Sequence, residues 1–198
     1  MILFENLSEK KQINILNAAF LCFGENGYEK TSVADIAKEA GISKASIFQY
    51  FGTKRKLYLY LFQVACEKIV ENLPQGNDDL FDSIQRATRA KIKVMEQHPG
   101  MYDFLSSIVN EGNQDIMTSL HSGFDMQIMQ GAETIFQHVN WDKFRPELSK
   151  EKILHMIRWV NDGYVQSAVG KKDAETMYQE LQEYMGMLKK SMYRKEYL

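Results

Sequence analysis

Between Glu39 and Glu67 the chain carries four cations, Lys44, Lys54, Arg55 and Lys56, and no carboxylate. Such a concentration suits a polyanion, because each ammonium or guanidinium can donate to a phosphate oxygen. The same stretch holds side chains able to read base edges. Gln49 offers an amide that can pair twice with adenine, Lys44 an ammonium for guanine O6 and N7, and Ala45 and Phe48 apolar groups for a thymine methyl. The run Lys54-Arg55-Lys56 opens a predicted helix, where cations oppose the helix dipole at about 0.3 to 1 kcal/mol each when exposed. Something must compensate them, and a phosphate would do so. Bulk composition hides this segment: 24 Lys and Arg against 26 Asp and Glu give the 198 residues a net charge of −2. With +4 on residues 40–66, the remainder carries −6.

The elements that must position these residues are legible from apolar periodicity and turn residues. Ile13, Leu16, Phe20 and Phe23 recur at steps of three and four after Ser8, a candidate N-cap, and Gly27 supplies a stop, which predicts a helix of about 18 residues. A short second helix begins at Ser32-Val33-Ala34-Asp35, where Ser and a carboxylate three residues on suit a capping box, and ends at Gly41. Ser43 caps a third helix through Phe51, ended by Gly52. Thr53 caps a fourth, through Leu57, Leu61, Val64 and Ile69 to Pro74. Two short capped helices with Gly41 in the turn between them are the signature of a helix-turn-helix, whose second helix enters the major groove of DNA. A plain helical hairpin has the same spacing, and the basic segment decides between them.

Further helical patterns run from Leu80 to Gln97, Met101 to Asn110 and Asp115 to Val139, and two more follow Pro146. No stretch alternates with period two between hairpin turns, so the chain is expected to be all-α with about nine helices. The expected domains are a helix-turn-helix DNA-binding domain over 1–53 and a helical effector-binding and dimerisation domain over 54–198, joined by a helix from about 54 to 73.

Thr31, Ile36-Ala37, Ala40-Gly41-Ile42-Ser43, Tyr50-Phe51 and Lys54 with Leu57 together resemble the N-terminal DNA-binding motif of the TetR family of bacterial transcriptional regulators. The resemblance is dense over about residues 13 to 61, a quarter of the chain. It implies that Thr31, Tyr50 and Lys54 contact phosphates and that Lys44, Ala45, Ser46, Phe48 and Gln49 face the groove, with Ser43 at the head of that helix counted among the DNA-binding residues. Ile47 and Phe51 are expected to pack inward. Many family members carry Tyr where this chain has Phe48, so one hydroxyl contact to DNA is missing. The resemblance further implies a homodimer through the two C-terminal helices on a palindromic operator, and a small-molecule effector that releases a repressor from it. Effector-independent activation or an architectural role is the alternative, and a thermal-shift ligand screen separates the two.

Ten of the eleven Met residues lie at or after Met95. Thioethers and aromatics suit both adaptable apolar pockets and ordinary cores; Met117, Phe124, Trp159 and Tyr164 are the candidate contacts for an apolar or aromatic effector. An enzyme is not expected. His98, His121, His138 and His155 are scattered, no Cys-x-x-Cys, His-Glu-x-x-His or Gly-x-Ser-x-Gly occurs, and neither metal nor cofactor is anticipated. No apolar run approaches the roughly 18 residues a membrane span needs. Cys22 and Cys66 read as reduced thiols and no leader is apparent, so a cytoplasmic location is expected.

Overall fold

The computed structural model of the chain describes residues 2–109 and 111–198, the side chains of Ile2 and of residues 121–130 excepted. Among the described residues the order is α1 (Ile2–Glu5), α2 (Glu9–Lys30), α3 (Val33–Glu39), α4 (Lys44–Phe51), α5 (Lys54–Glu71), α6 (Leu80–Glu96), α7 (Met101–Val109), α8 (Gln114–Phe136), α9 (Lys150–Ala168) and α10 (Ala174–Met192), with 3-10 turns at Trp141–Lys143 and Lys195–Tyr197. The all-α expectation holds, and α2 to α10 are the nine helices of seven or more residues among those described. The remaining helix, α1, has no signature in the sequence, because four residues are too few to display an apolar period. Extended pairing among the described residues is limited to one antiparallel bridge between Phe144 and Tyr193.

Local details differ in two places. Ser8 precedes α2 but makes no side-chain capping bond, so it is an N-cap by position only. Gly27, expected to stop the helix, instead breaks α2 internally at φ 70° and ψ 179°. Tyr28, just beyond it, packs against Phe23 and Tyr58, with ring centroids 6.4 and 5.0 Å away.

The chain folds as two compact units, residues 1–71 with 93–128, and residues 72–92 with 129–198. In the first, Phe20, Phe23, Tyr58 and Phe104 form a fully buried aromatic knot, with Phe23–Tyr58, Tyr58–Phe104 and Phe20–Phe104 centroids 4.9, 5.1 and 5.3 Å apart in edge-on geometry. Offset and edge-on pairs of this kind contribute about 0.5 to 1.5 kcal/mol each beyond burial. In the second, Phe81, Phe144 and Tyr193 cluster edge to face. Asp79 caps α6 there by accepting from the amides of Phe81 and Asp82, both at 3.0 Å, and pairs with Lys189 at 2.7 Å. Burial works against its charge, but those partners outweigh burial and hold the carboxyl below its ordinary value.

At Gly24 and Gly100 the backbones of α2 and of the α7 segment approach so closely that a side chain is excluded. A Cβ on Gly24 would stand 2.9 Å from Asp103 Cβ, and one on Gly100 would stand 2.5 Å from the Leu21 amide nitrogen. Gly100 also has φ +76°, whereas Gly41, at φ +66°, has open space where its Cβ would lie. Gly100→Ala is therefore expected to cost about 3 kcal/mol or more, strain plus backbone collision, against about 1 kcal/mol for Gly41→Ala. Urea unfolding of the two variants measures both; equal losses would refute the close approach as the cause.

Candidate nucleic-acid interface

The two short helices form because their ends are closed by local groups. Ser32 accepts the Asp35 amide at 3.1 Å while its hydroxyl bonds the Asp35 carboxylate at 2.6 Å. At the far end of α3 the Ile42 amide reaches the Ala37 carbonyl at 2.9 Å and the Gly41 amide reaches Lys38 at 3.1 Å. That pair is a Schellman closure, and the positive φ of Gly41 makes it possible. Asn14 on α2 donates to the Ala40 carbonyl at 2.8 Å, tying the turn to the long helix. Just beyond the turn, Ser43 starts α4 by accepting the Ser46 amide at 3.0 Å. Thr53 does the same for α5 through the Lys56 amide at 3.1 Å.

Helix α4 is two-faced. Ile47 and Phe51 are buried, as expected, against the core that includes Val33, Ile36 and Ala37 of α3. Ser43, Lys44, Ala45, Phe48 and Gln49 are exposed, while Ser46 and Tyr50 are half-buried. Positions 44, 45, 48 and 49 occupy successive turns of one outward face. Phe48 is 41% exposed, with the Lys44 ammonium 5.9 Å from its ring. The Ser43 and Ser46 hydroxyls lie 2.8 Å apart and are hydrogen-bonded to each other.

Two residues expected on phosphates are turned elsewhere. Thr31 is 3% exposed, and its hydroxyl donates to the carbonyls of Gly27 at 2.7 Å and Cys22 at 2.9 Å. The Gly27 carbonyl lies at the break in α2, and the Thr31 hydroxyl ties it to the Cys22 carbonyl one turn earlier, which the Asn26 amide also reaches at 3.1 Å. Lys54 donates to the carbonyls of Tyr28, Thr31 and Glu29 at 2.8, 3.2 and 3.3 Å and lies 4.4 Å from the Tyr28 ring centroid. The cation misplaced at the start of α5 is thus compensated within the protein, by the negative C-terminal end of α2. Arg55 donates to the Ser119 hydroxyl at 2.5 Å, and Lys56 is exposed.

A groove of about 540 Å³ runs beside the C-terminal half of α4, lined by Gln49, Tyr50, Lys56, Tyr60 and Gln63 among others. Tyr60 and Gln63 do not stand out in the sequence. Their spacing from Lys56, at steps of four and three along one helix face, is the available signal.

Three of the four effector candidates have described side chains. Met117 packs on the core of the first unit; Trp159 is 68% exposed and stacks on His155 at 5.7 Å. Tyr164 donates to Glu180 at 2.9 Å and lies 5.6 Å from Tyr184. The side chain of Phe124 lies outside the described residues. Among the described residues no group of His, Cys, Asp and Glu could hold a metal ion, and no helix is long and apolar enough to cross a membrane.

Residues 15–61 match the family model for bacterial regulatory proteins of the tetR family. The chain is 19% identical over 170 residues to the HTH-type transcriptional regulator YfiR of Bacillus subtilis, spanning 81% of each chain. It is 27% identical over 117 residues to the icaADBC negative transcriptional regulator IcaR of Staphylococcus epidermidis, covering 54% of this chain and 63% of that relative. A TetR-family regulator from Chloroflexus aurantiacus shares the fold at a TM-score of 0.65 and 19% identity, over 98% of this chain and 99% of that one. These relatives are named as regulators of transcription, not as enzymes. The capped helix pair, the all-helical architecture and these matches agree: residues 15–61 carry the DNA-binding motif of the TetR family of bacterial regulatory proteins, and the chain has the fold of TetR-family transcriptional regulators.

Proposed function

We propose that the chain is a repressor that binds a palindromic operator as a homodimer and leaves it when a small apolar or aromatic effector binds. The observation that carries the DNA reading is the division of α4, with Ile47 and Phe51 buried and Lys44, Ala45, Phe48 and Gln49 presented outward together. In this reading Ser46 faces the DNA groove beside them, while Ser43 and Tyr50 flank that face as contacts to the sugar-phosphate strand. The groove beside Lys56 is a seat for that strand, since ammonium, amide and phenol groups are all phosphate donors. Thr31 and Lys54 enter this reading as supports of the head; a phosphate contact from either requires exchange with the carbonyls it now holds.

In this proposal residues 1–53 read DNA, while residues 54–198 bind effector and dimerise through α9 and α10. What supports the dimer is the exposure of large apolar side chains on those helices, Trp159 at 68% and Met187 at 64%, with Met156 and Tyr184 also exposed. Scattered exposed apolar residues are ordinary on monomers, but a concentration on one pair of helices marks an interface. A dimer also supplies reach, because one recognition helix reads few base pairs and two read half-sites about 34 Å apart. The proposed effector acts by differential binding: a ligand favouring a spacing of the two heads that DNA disfavours lowers operator affinity, with typical couplings of about 1 to 3 kcal/mol. The repressor assignment draws support from IcaR, named as a negative regulator. The proposed location is the cytoplasm, where the operator is.

Selection of bound sequences from random duplex DNA tests this reading, and the expected product is a palindrome; enrichment of no sequence would overturn it. Gln49→Ala is expected to relax preference at one position in each half-site, by about 1 to 3 kcal/mol against the preferred base; an unaltered selection profile rejects the contact. Lys56→Ala should weaken all duplexes alike and reduce the slope of log affinity against log salt by about one for each phosphate the ammonium neutralises, so an unchanged slope in titrations removes Lys56 from the interface. Light scattering should give twice the chain mass, and Trp159→Glu should shift that toward one; a wild-type monomer at micromolar concentration refutes the dimer.

A further inference from the structure

Phe4, a fully buried residue of α1, lies outside the segment matched by the family model yet packs against rings inside it. Its ring lies 4.9 Å from that of Phe51, 5.8 Å from that of Tyr60 and 6.1 Å from that of Tyr50. Phe51 and Tyr50 are the last residues of α4, and Tyr60 stands on α5 across from them, with Phe51 and Tyr60 rings 5.6 Å apart. Phe4 thus wedges between the end of the recognition helix and the helix that follows it. The wedge is anchored from its own side as well. The Gln12 amide on α2 donates to the carbonyls of Leu7 at 2.9 Å and Glu5 at 3.1 Å, closing the otherwise open end of α1.

We infer that Phe4 is a positioning residue for DNA recognition: docked through α1, it fixes the tilt of the C-terminal half of α4, and with it the placement of Gln49 and Tyr50. This inference rests on the DNA reading proposed above. A helix of eight residues has little stiffness of its own, so its orientation follows what its buried face meets. The N-terminal half of α4 is set by the Ser43 cap and the turn at Gly41. The C-terminal half ends at Gly52 and is set by Phe51 and Tyr50, whose ring neighbours include Phe4. Emptying the Phe4 site leaves room for that end to shift, and base contacts demand placement within a fraction of an ångström. Phosphate contacts made by mobile lysines are far more forgiving.

The readout is therefore the ratio of specific to non-specific affinity, measured by fluorescence anisotropy. The probes are the tightest duplex that the wild-type chain enriches from a random pool, and a scrambled duplex of the same length and composition. Phe4→Ala is expected to lower the ratio about tenfold, the scale of one good base contact, with scrambled-duplex affinity nearly unchanged. Phe4→Met, which refills most of the volume, should restore the ratio to within about threefold of wild type. A destabilised chain that is partly unfolded loses both affinities in proportion and leaves the ratio fixed, so a parallel fall, or no fall, in Phe4→Ala overturns the inference. Enrichment of no sequence by the wild-type chain overturns the DNA reading and this inference together, whereas an enriched palindrome with an unmoved ratio removes this inference alone.

Discussion

The Lys54 ammonium, gathered by the carbonyls of Tyr28, Glu29 and Thr31, is the interaction on which the head of this molecule depends. A long helix broken at Gly27 leaves unpaired carbonyls, and a helix beginning with Lys-Arg-Lys places cations at its own positive end. Each is unfavourable alone, by the same electrostatics with opposite sign. Bringing the two ends together satisfies both, and charge-assisted hydrogen bonds of this kind contribute about 1.5 to 3 kcal/mol each. The consequence is geometric: the end of α2 and the start of α5 are held at one point, and α3 and α4 are the loop of chain between them. Thr31 completes the joint by turning its hydroxyl onto the Gly27 and Cys22 carbonyls.

From that joint the outward face of α4 follows. With both ends fixed, α3 and α4 must bury Val33, Ile36, Ala37, Ile47 and Phe51 against α2 and α5, and the residues between them on α4 have only the outside to occupy. The two-faced character of α4 therefore requires no separate cause. A similar economy appears in the second unit, where Asp79 caps α6 and holds Lys189 of α10 with one carboxylate.

Much of this was legible in the chain of letters, and what was legible was local. Ser32, Ser43 and Thr53 do cap, and Gly41 and Gly52 do take positive φ, because a cap or a tight turn is decided within four residues. The inward placement of Ile47 and Phe51 is local as well, since residues four apart share one helix face. What escaped was decided at long range. The Lys54 partners are carbonyls 23 to 26 residues away, so the sequence around the lysine does not reveal them. Ser8 lacked the geometry to cap although its type was right. Residue type alone does not reveal that Trp159 is 68% exposed, because exposure is decided by packing at long range. Phe4 gave no periodic signal because α1 is a single turn.

The joint at Lys54 also bears on how the head would meet a ligand of any kind. Segments that order only on contact must give up backbone freedom at that moment, about 1 to 2 kcal/mol per residue, and this is subtracted from what the contact yields. Here the carbonyls, caps and buried rings meet that cost during folding. The surface offered by Lys44, Ala45, Phe48 and Gln49 is thus a finished relief, not a mould waiting to be pressed. Encounter then becomes a matter of orientation and diffusion, because little backbone remains to be ordered on contact.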